Sequence, residues 1–210
     1  MTPRADLSAT TLTVRTEPVQ QRSTDRITNL LDSAASLIDQ HGIDGLTTSD
    51  VATSSGSSVG VVYRYFPNIQ SLLRALAARN LERFIDSIHD VAGVHSTDWA
   101  TAADAIIDAY AALSRTEPGF RAVRFGEVID ERFIQPDVGT TTSISRRFTD
   151  LLVSNYGFAA SEALSYELEV MVEIGDALLH RAFQYDHNGD DRFIATLRTL
   201  VRERLSPIAP

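Results

Sequence analysis

Two groups of residues in this chain have types and spacings that could support chemistry. The run GSSVG at residues 56–60 matches the G-x-S-x-G pattern of hydrolases, in which the central serine is the nucleophile. That chemistry requires a buried strand before the serine, because the strained strand-to-helix turn exposes its hydroxyl. Residues 51–55 are instead polar and follow a helical pattern. The context therefore disfavours an esterase that uses Ser58, although the motif keeps this alternative open.

Four polar side chains on one predicted helix could instead hold a cation or a basic ligand. Glu169, Glu173, Asp176 and His180 are spaced by four, three and four residues, which places them on one helix face. A second set of ligands is missing, and the other side of the same helix is apolar. A solvated charged stripe is the simpler interpretation. We therefore predict no metal, no cofactor and no catalytic residue.

The composition of the 210 residues excludes several classes of protein. The chain has no cysteine and no lysine, so all 19 of its basic residues are arginine. A disulfide framework, a thiolate metal site, a Walker A phosphate loop and a Schiff-base enzyme each need one of these missing residues. No apolar run approaches the ~20 residues of a membrane span, and no signal peptide is evident. We therefore expect a cytoplasmic protein with no membrane partner.

The net charge of −9 is distributed unevenly along the chain. Residues 1–79 contain 7 arginines and 7 acidic residues, whereas residues 80–210 contain 12 arginines and 21 acidic residues. Phosphate contacts drive the general affinity of proteins for nucleic acids, so the acidic C-terminal part is a poor candidate for binding DNA. The neutral N-terminal part can still bind DNA if its arginines share one face.

Apolar residues recur with helical spacing along most of the chain, and no alternating strand of any length is present. The pattern predicts an all-α chain of about nine helices, of which the first starts at Asp25 and a later one covers Phe120–Phe133. The chain divides into a flexible arm at residues 1–22, a small helical unit at residues 23–70 and a larger helical unit at residues 71–210.

The small unit contains two short helices joined by a tight turn, which is the arrangement of a helix-turn-helix. Thr47 and Asp50 have the spacing of a capping box before the first short helix, and Ser58 is expected to cap the second. A short helix with small or polar exposed side chains can enter a DNA major groove if its scaffold holds it at a fixed angle. The unit is therefore a candidate DNA-binding domain.

The second short helix supplies most of the candidate DNA contacts. Val62 and Phe66 are expected to anchor this helix inward, so the remaining side chains face outward. Tyrosine hydroxyls and arginine guanidinium groups donate well to phosphates, and backbone N–H groups at helix starts do the same. The predicted contact residues are Arg26, Thr47, Thr48, Ser57, Ser58, Val59, Gly60, Val61, Tyr63, Arg64, Tyr65 and Asn68.

The succession of these features resembles the DNA-binding domain of the TetR family of bacterial transcriptional regulators. The resemblance runs from Arg26 to Leu73 and includes GLTT, DVA, SGSS and YRYFPN in that order. The chain departs from the common family pattern at Val61, where a small hydroxylated residue is usual. It also carries Ile69 in place of a phosphate-contacting lysine, and Ser57 in place of a turn valine.

The resemblance implies a ligand-responsive repressor, not an enzyme, that binds a palindromic operator as a homodimer and is released by a small-molecule effector. It places an effector pocket among the middle helices, with apolar and aromatic walls. The candidate pocket residues are Trp99, Tyr110, Phe120, Arg121 and Phe125. Each aromatic is individually more often a core residue, and Arg121 more often pairs with a surface acid.

The resemblance also implies a dimer formed by the last two long helices of each subunit. Both helices carry more apolar positions than one modest bundle face needs, although packing within one chain is the simple alternative. The predicted dimer residues are Leu168, Val172, Leu179, Phe183, Phe193, Leu197, Leu200 and Val201.

The expected partners are therefore a double-stranded DNA operator, a second copy of the chain and an unidentified small molecule. An alternative function is a helical protein-interaction module with a weak DNA-reading head. The neutral N-terminal part and the missing lysine keep this alternative open. It predicts no saturable binding to duplex DNA at moderate salt.

Overall fold

The computed structural model describes residues 17–92, 98–122 and 140–210. These residues form eight α-helices and a final 3₁₀ turn and contain no strand, which confirms the all-α fold. The helices are α1 (Glu17–His41), α2 (Thr48–Ser54), α3 (Val59–Tyr65), α4 (Ile69–Ala92), α5 (Trp99–Thr116), α6 (Thr140–Tyr156), α7 (Glu162–Phe183) and α8 (Asp191–Leu205).

Two helix boundaries differ from the sequence-based prediction. Helix α1 begins at Glu17 rather than at Asp25, so the last residues of the predicted arm are helical. The helix expected over Phe120–Phe133 falls mostly outside the described residues, and its described part, residues 120–122, is a turn. Pro118 and Gly119 lie just before it, and Gly119 has a positive φ of 72°. A glycine in this conformation is typical of a turn, because it has no Cβ to clash.

Helices α1, α2 and α3 pack with the first half of α4 around a compact core, which we call the head core. Val62 of α3 is completely buried and Phe66 is nearly so, which confirms that they anchor α3. The buried members of the head core are Leu30, Leu31, Ala34, Ala35, Ile38, Val51, Ala52, Val62, Phe66, Leu72, Leu76 and Ala77. Because three other elements pack around α3, its orientation is fixed relative to α1, α2 and α4.

The second half of α4 packs with α5, α6, α7 and α8 around a separate core, which we call the body core. Its aromatic centre is a chain of edge-to-face contacts. The ring of Tyr110 lies 5.4 Å from that of Phe84 and 5.2 Å from that of Phe120, measured between centroids. Such pairs add to the stability that burial alone provides. A third, smaller cluster surrounds Phe158 and Trp99.

Helix α4 belongs to both cores. Its buried positions recur every four residues and form one stripe, which consists of Leu72, Leu76, Asn80, Phe84 and Ile88. Leu72 and Leu76 contribute to the head core, whereas Phe84 and Ile88 contribute to the body core. A movement of the body core against α4 therefore displaces a helix that is also part of the head.

A second connection between head and body is formed by residues 117–122, which we call the coupling segment. A Cβ added to Gly119 would lie 3.0 Å from the Cα of Ala35 in α1, so the two backbones are in close contact. Ala122 packs against the head core. Arg121 donates a hydrogen bond to Asp39 of α1 at 3.3 Å and contacts Nδ1 of His187 at 2.5 Å. The segment thus touches α1 on one side and the α7–α8 turn on the other.

We expect Gly119→Ala to lower the free energy of unfolding by about 1–3 kcal/mol, because the new Cβ would be strained in φ and would press on the backbone of α1. Urea unfolding followed by circular dichroism measures this loss. Gly45→Ala is the matched control, since Gly45 also has a positive φ but no atom within 4 Å of an added Cβ. An equal loss in both variants would show that the contact with α1 contributes nothing.

Candidate nucleic-acid interface and internal cavity

Side-chain hydrogen bonds cap the N-termini of both short helices, and the cap of α2 is reciprocal. The hydroxyl of Thr47 accepts a hydrogen bond from the N–H of Asp50 at 3.2 Å, and the Asp50 carboxylate accepts one from the N–H of Thr47 at 3.0 Å. The Thr47 hydroxyl also donates a hydrogen bond to the Asp50 carboxylate at 2.6 Å, and this bond together with the one from the Thr47 N–H holds the pKa of Asp50 below its ordinary value. The Ser58 hydroxyl accepts from the N–H of Val61 at 3.3 Å. The capping box and the Ser58 cap are both confirmed.

The cap formed by Ser58 also argues against a hydrolase that uses this serine as its nucleophile. Ser58 follows a helix and a turn rather than a strand, and its hydroxyl is engaged at the start of α3. A nucleophile elbow needs a strained strand-to-helix turn that presents the serine to substrate. Neither feature is present at residues 51–65, so the G-x-S-x-G match at residues 56–60 is a coincidence of sequence.

Helix α1 holds the turn between α2 and α3 through two polar side chains. Arg26 donates a hydrogen bond to the Ser57 hydroxyl at 3.4 Å, and Asn29 donates to the carbonyl of Ser55 at 3.3 Å. Gly56 in the turn has a positive φ of 63°. The structure therefore places Arg26 beside Ser57 at the edge of the predicted DNA-binding surface, 31 residues apart in sequence.

One face of α3 is open to solvent and carries the side chains best placed to meet DNA. Val59 is 38% exposed and Tyr63 is 52% exposed, and Gly60 and Arg64 are exposed as well. Val59 and Tyr63 are four residues apart, and so are Gly60 and Arg64, so the two pairs lie side by side on one face of the helix. An added Cβ at Gly60 would meet only the Ser58 hydroxyl, at 3.9 Å. The bare backbone at Gly60 allows a partner to approach closely.

The structure corrects one predicted contact. Thr48 is buried, and its hydroxyl donates a hydrogen bond to the Tyr63 hydroxyl at 3.3 Å, so it orients Tyr63 instead of facing outward. Thr48 was predicted from its place at a helix start, which does not show which neighbours cover a side chain. Tyr65 is half-buried against the head core, where its hydroxyl accepts from Ser23 at 3.5 Å, and its contact with DNA stays a prediction.

The other predicted contacts keep an accessible position. Thr47, Ser58 and Asn68 are exposed, and Ser57 and Val61 are partly exposed. Asn68 also accepts a hydrogen bond from the N–H of Ser71 at 2.8 Å, which satisfies a donor at the start of α4. Their contact with DNA remains a prediction.

A large internal cavity lies between α5, α6, α7 and α8, with Phe84 of α4 in its wall. Its volume is about 1060 Å³, counted out to its open mouth. Of its 20 described lining residues only Tyr110, Glu173 and Asp176 carry polar side-chain atoms. Pockets with apolar walls and a few polar groups are typical of small-molecule sites.

The cavity contains only one of the predicted pocket residues, Tyr110. Phe120 lies behind the Tyr110 ring and is fully buried. Trp99 packs edge-to-face on Phe158 with 5.8 Å between ring centroids, outside the described lining. Arg121 is held between Asp39 and His187, and Phe125 lies outside the described residues. Trp99, Phe120 and Arg121 therefore do not line this cavity in the described structure.

Most of the predicted dimer residues face inward. Leu168, Leu179, Phe183 and Leu197 are buried inside the single chain and cannot contact a partner. The five that line the cavity are Leu168, Val172, Leu179, Leu197 and Val201. Phe193 and Leu200 are only partly buried, and their predicted role is untested. The excess of apolar residues on α7 and α8 is explained largely by a cavity wall and not by a dimer face.

The charged stripe on α7 is also only partly solvated. Glu169 and Glu173 are both exposed, although Glu173 also borders the cavity, whereas Asp176 and His180 are half-buried. No group of three or more histidine, aspartate or glutamate side chains in the described parts of the chain is arranged to hold a metal ion. Within the same residues, no helix combines the length and the apolar character of a membrane span.

The structure combines a capped helix-turn-helix that has an exposed recognition face with a helical body that contains a cavity. This combination is typical of a DNA-binding regulator. Comparison with protein families agrees. Residues 30–76 match the model described as "Bacterial regulatory proteins, tetR family", and residues 97–209 match "Tetracyclin repressor-like, C-terminal domain". The chain belongs to the TetR family of transcriptional regulators and is not an enzyme.

Solved structures agree with this assignment. A TetR-family regulator from Streptomyces coelicolor is 33% identical, with a TM-score of 0.72 over 87% of this chain and 99% of that one. The fatty acid degradation regulator FadR from Bacillus halodurans is 16% identical, with a TM-score of 0.66 over 86% and 94%. RolR, solved with its ligand resorcinol, is 19% identical, with a TM-score of 0.59 over 91% and 98%. No curated protein sequence matches the chain.

We expect Thr47→Ala to lower the free energy of unfolding by about 1 kcal/mol, because it removes the side-chain cap of α2. The urea midpoint of the full chain measures the change. Thr53→Ala is the control, since Thr53 is an exposed α2 residue whose hydroxyl donates only to the Ser49 carbonyl one turn earlier. A loss in Thr53→Ala as large as that in Thr47→Ala would rule out a specific role of the cap.

Proposed function

We propose that the chain is a ligand-responsive repressor that binds a palindromic operator as a homodimer and leaves it when a small apolar molecule occupies the cavity. The observation that carries the DNA-binding part is the open face of α3. It combines the exposed Tyr63 and Arg64 with bare backbone at Gly60, on a helix that the head core holds rigidly. Such a helix can enter a major groove with its side chains in fixed positions.

Apolar contacts are part of the proposed recognition. Val59 and Val61 lie on or beside the open face and suit the methyl groups of thymines. Arg26 and Arg64 replace the lysine that relatives commonly use for phosphate contacts. The hydrogen bond from Thr48 restricts the Tyr63 hydroxyl, which favours a single direction for its phosphate contact.

The cavity supports the proposal of an effector. RolR has been solved with resorcinol, so at least one similar structure binds a small molecule. The walls of the cavity in this chain include Phe84 of α4 and Tyr110 of α5, and α5 leads directly into the coupling segment. Ligand binding therefore acts on both connections to the head. By linkage, the effector lowers DNA affinity only to the extent that it prefers a second head arrangement.

The outward faces of α7 and α8 are the proposed contact with a second copy. Tyr166 of α7 is 61% exposed, and Val170, one turn further along the same helix, is only partly buried. A two-fold operator requires two recognition helices about 34–36 Å apart, which a single chain does not supply. Because it acts on chromosomal DNA, we place the protein in the cytoplasm.

The test is binding of the full chain to duplex DNA that flanks its own gene, over a range of salt concentrations. We expect Tyr63→Ala combined with Arg64→Ala to weaken binding at least tenfold. The slope of log K against log salt should fall by about one for each lost phosphate contact. Fluorescence anisotropy measures both quantities.

The matched control combines Tyr185→Ala with Arg192→Ala, which removes an exposed tyrosine and an exposed arginine from the body. This variant should bind DNA like the unchanged protein. An intact affinity and slope in the α3 variant would contradict the proposal. A complete lack of saturable binding by the unchanged protein would favour the protein-interaction module instead.

A further inference from the structure

The two charged groups in the described cavity wall are both acidic. Glu173 and Asp176 lie one turn apart on α7 and both contribute to the wall, where Glu173 is exposed to solvent and Asp176 is partly buried. No arginine or histidine is found among the described lining residues. Each carboxylate also takes part in an interaction with another group of the protein. Ionised carboxylates favour a ligand that brings a positive charge or hydrogen-bond donors, and they disfavour a second carboxylate.

The aromatic side chains of the wall also favour a positively charged ligand. Phe84, Tyr110 and Phe148 give the cavity three aromatic rings, and ring faces attract cations by their quadrupole. The Phe84 and Tyr110 rings are nearly perpendicular, at 87°, and thus present differently oriented surfaces to the cavity. Most of the remaining wall is aliphatic and suits a hydrocarbon body.

We propose that the effector is a lipophilic cation, an apolar molecule that carries an amine or ammonium group. The hydrocarbon part fills the aliphatic region, and the cationic group lies against Glu173, Asp176 and the aromatic rings. A fatty acid is disfavoured in this role, because its carboxylate would lie next to two like charges. The inference rests on the proposed function only in assuming that the cavity is the effector site.

Three probes that each contain a ten-carbon chain test the inference: decyltrimethylammonium, decanol and decanoate, each used below its micelle concentration or solubility limit. Titration calorimetry of the full chain without DNA measures binding. We expect the ammonium compound to bind at least tenfold more tightly than decanoate, with decanol between them. Decanoate binding as tightly as the ammonium compound would overturn the inference.

Substitutions in the cavity wall then show which side chains cause the preference for the ammonium compound. Glu173→Gln with Asp176→Asn should reduce the ammonium-to-decanoate ratio at least fivefold, while Glu169→Gln, on the same helix face but outside the lining, should leave it unchanged. An unchanged ratio in the double variant would overturn the role of these carboxylates. Binding of none of the probes would refute the cavity as an effector site, whereas a preference for decanoate would refute only the charge of the effector.

An independent observation concerns Asn80, the one polar member of the buried stripe on α4. Its side chain is completely buried, and neither Nδ2 nor Oδ1 has a hydrogen-bonding partner among the residues that the structure describes. A buried amide without partners is costly, and native proteins keep few of them. Asn80 lies one turn from Leu76 in the head core and one turn from Phe84 in the cavity wall. The free-energy cost of the unsatisfied amide therefore arises where the head core and the body core meet along α4.

We infer that Asn80 is a positioning residue that keeps this head–body arrangement close in free energy to a second one. An apolar side chain of similar size would join the two cores along α4 and favour the present arrangement alone. With the amide at this position, a ligand that binds the second arrangement only modestly more tightly can make that arrangement the more populated one. The ion pairs of Arg79 with Asp32 and of Arg83 with Glu117 border the same region and leave it polar.

Asn80→Leu tests this role, with Asn80→Met as a second variant of flexible shape. We expect at least one of them to raise the urea midpoint and to slow hydrogen exchange in α4 around residues 77–84. Glu82→Leu is the control, because Glu82 is exposed on the same helix and should have little effect. A lower midpoint in both Asn80 variants would show that the amide is stabilising and would overturn the inference.

Discussion

The structure depends on one helix being shared by two hydrophobic cores. Leu72 and Leu76 of α4 complete the head core, and Phe84 and Ile88 of the same stripe complete the body core. Each core is rigid because its side chains are closely packed. Neither can shift against α4 without also affecting the other. Through this shared helix, the head core and the wall of the cavity are mechanically connected.

The contacts between head and body differ in kind from the two cores. They include ion pairs such as Arg121 with Asp39, a backbone contact at Gly119, and the buried Asn80. Partly exposed ion pairs contribute little to stability, and polar interfaces between domains commonly permit relative motion. The head and the body are thus well ordered internally and loosely joined, which suits a protein that alternates between two arrangements.

Local features were predictable from the sequence because they depend on neighbours along the chain. The capping box at Thr47 and the inward anchors Val62 and Phe66 are of this kind. The inner and outer faces of α7 and α8 were not predictable, since both sides carry apolar residues. Helical spacing identifies a face but not its partner, so the cavity wall at Leu168 and Val172 was mistaken for a dimer surface. Thr48 was misplaced because its position at a helix start does not show that the fold buries it and joins it to Tyr63.

The length of α4 has a mechanical consequence. At a rise of about 1.5 Å per residue, Phe84 lies about 6 Å from Asn80, whereas Ile69 at the start of the helix lies about 16 Å from it. If α4 tilts about Asn80, the helix acts as an unequal lever. A displacement of about 1 Å at the cavity wall then becomes nearly 3 Å at the head end. Small ligands that hardly alter the body can, through this amplification, move a recognition helix out of register with a groove.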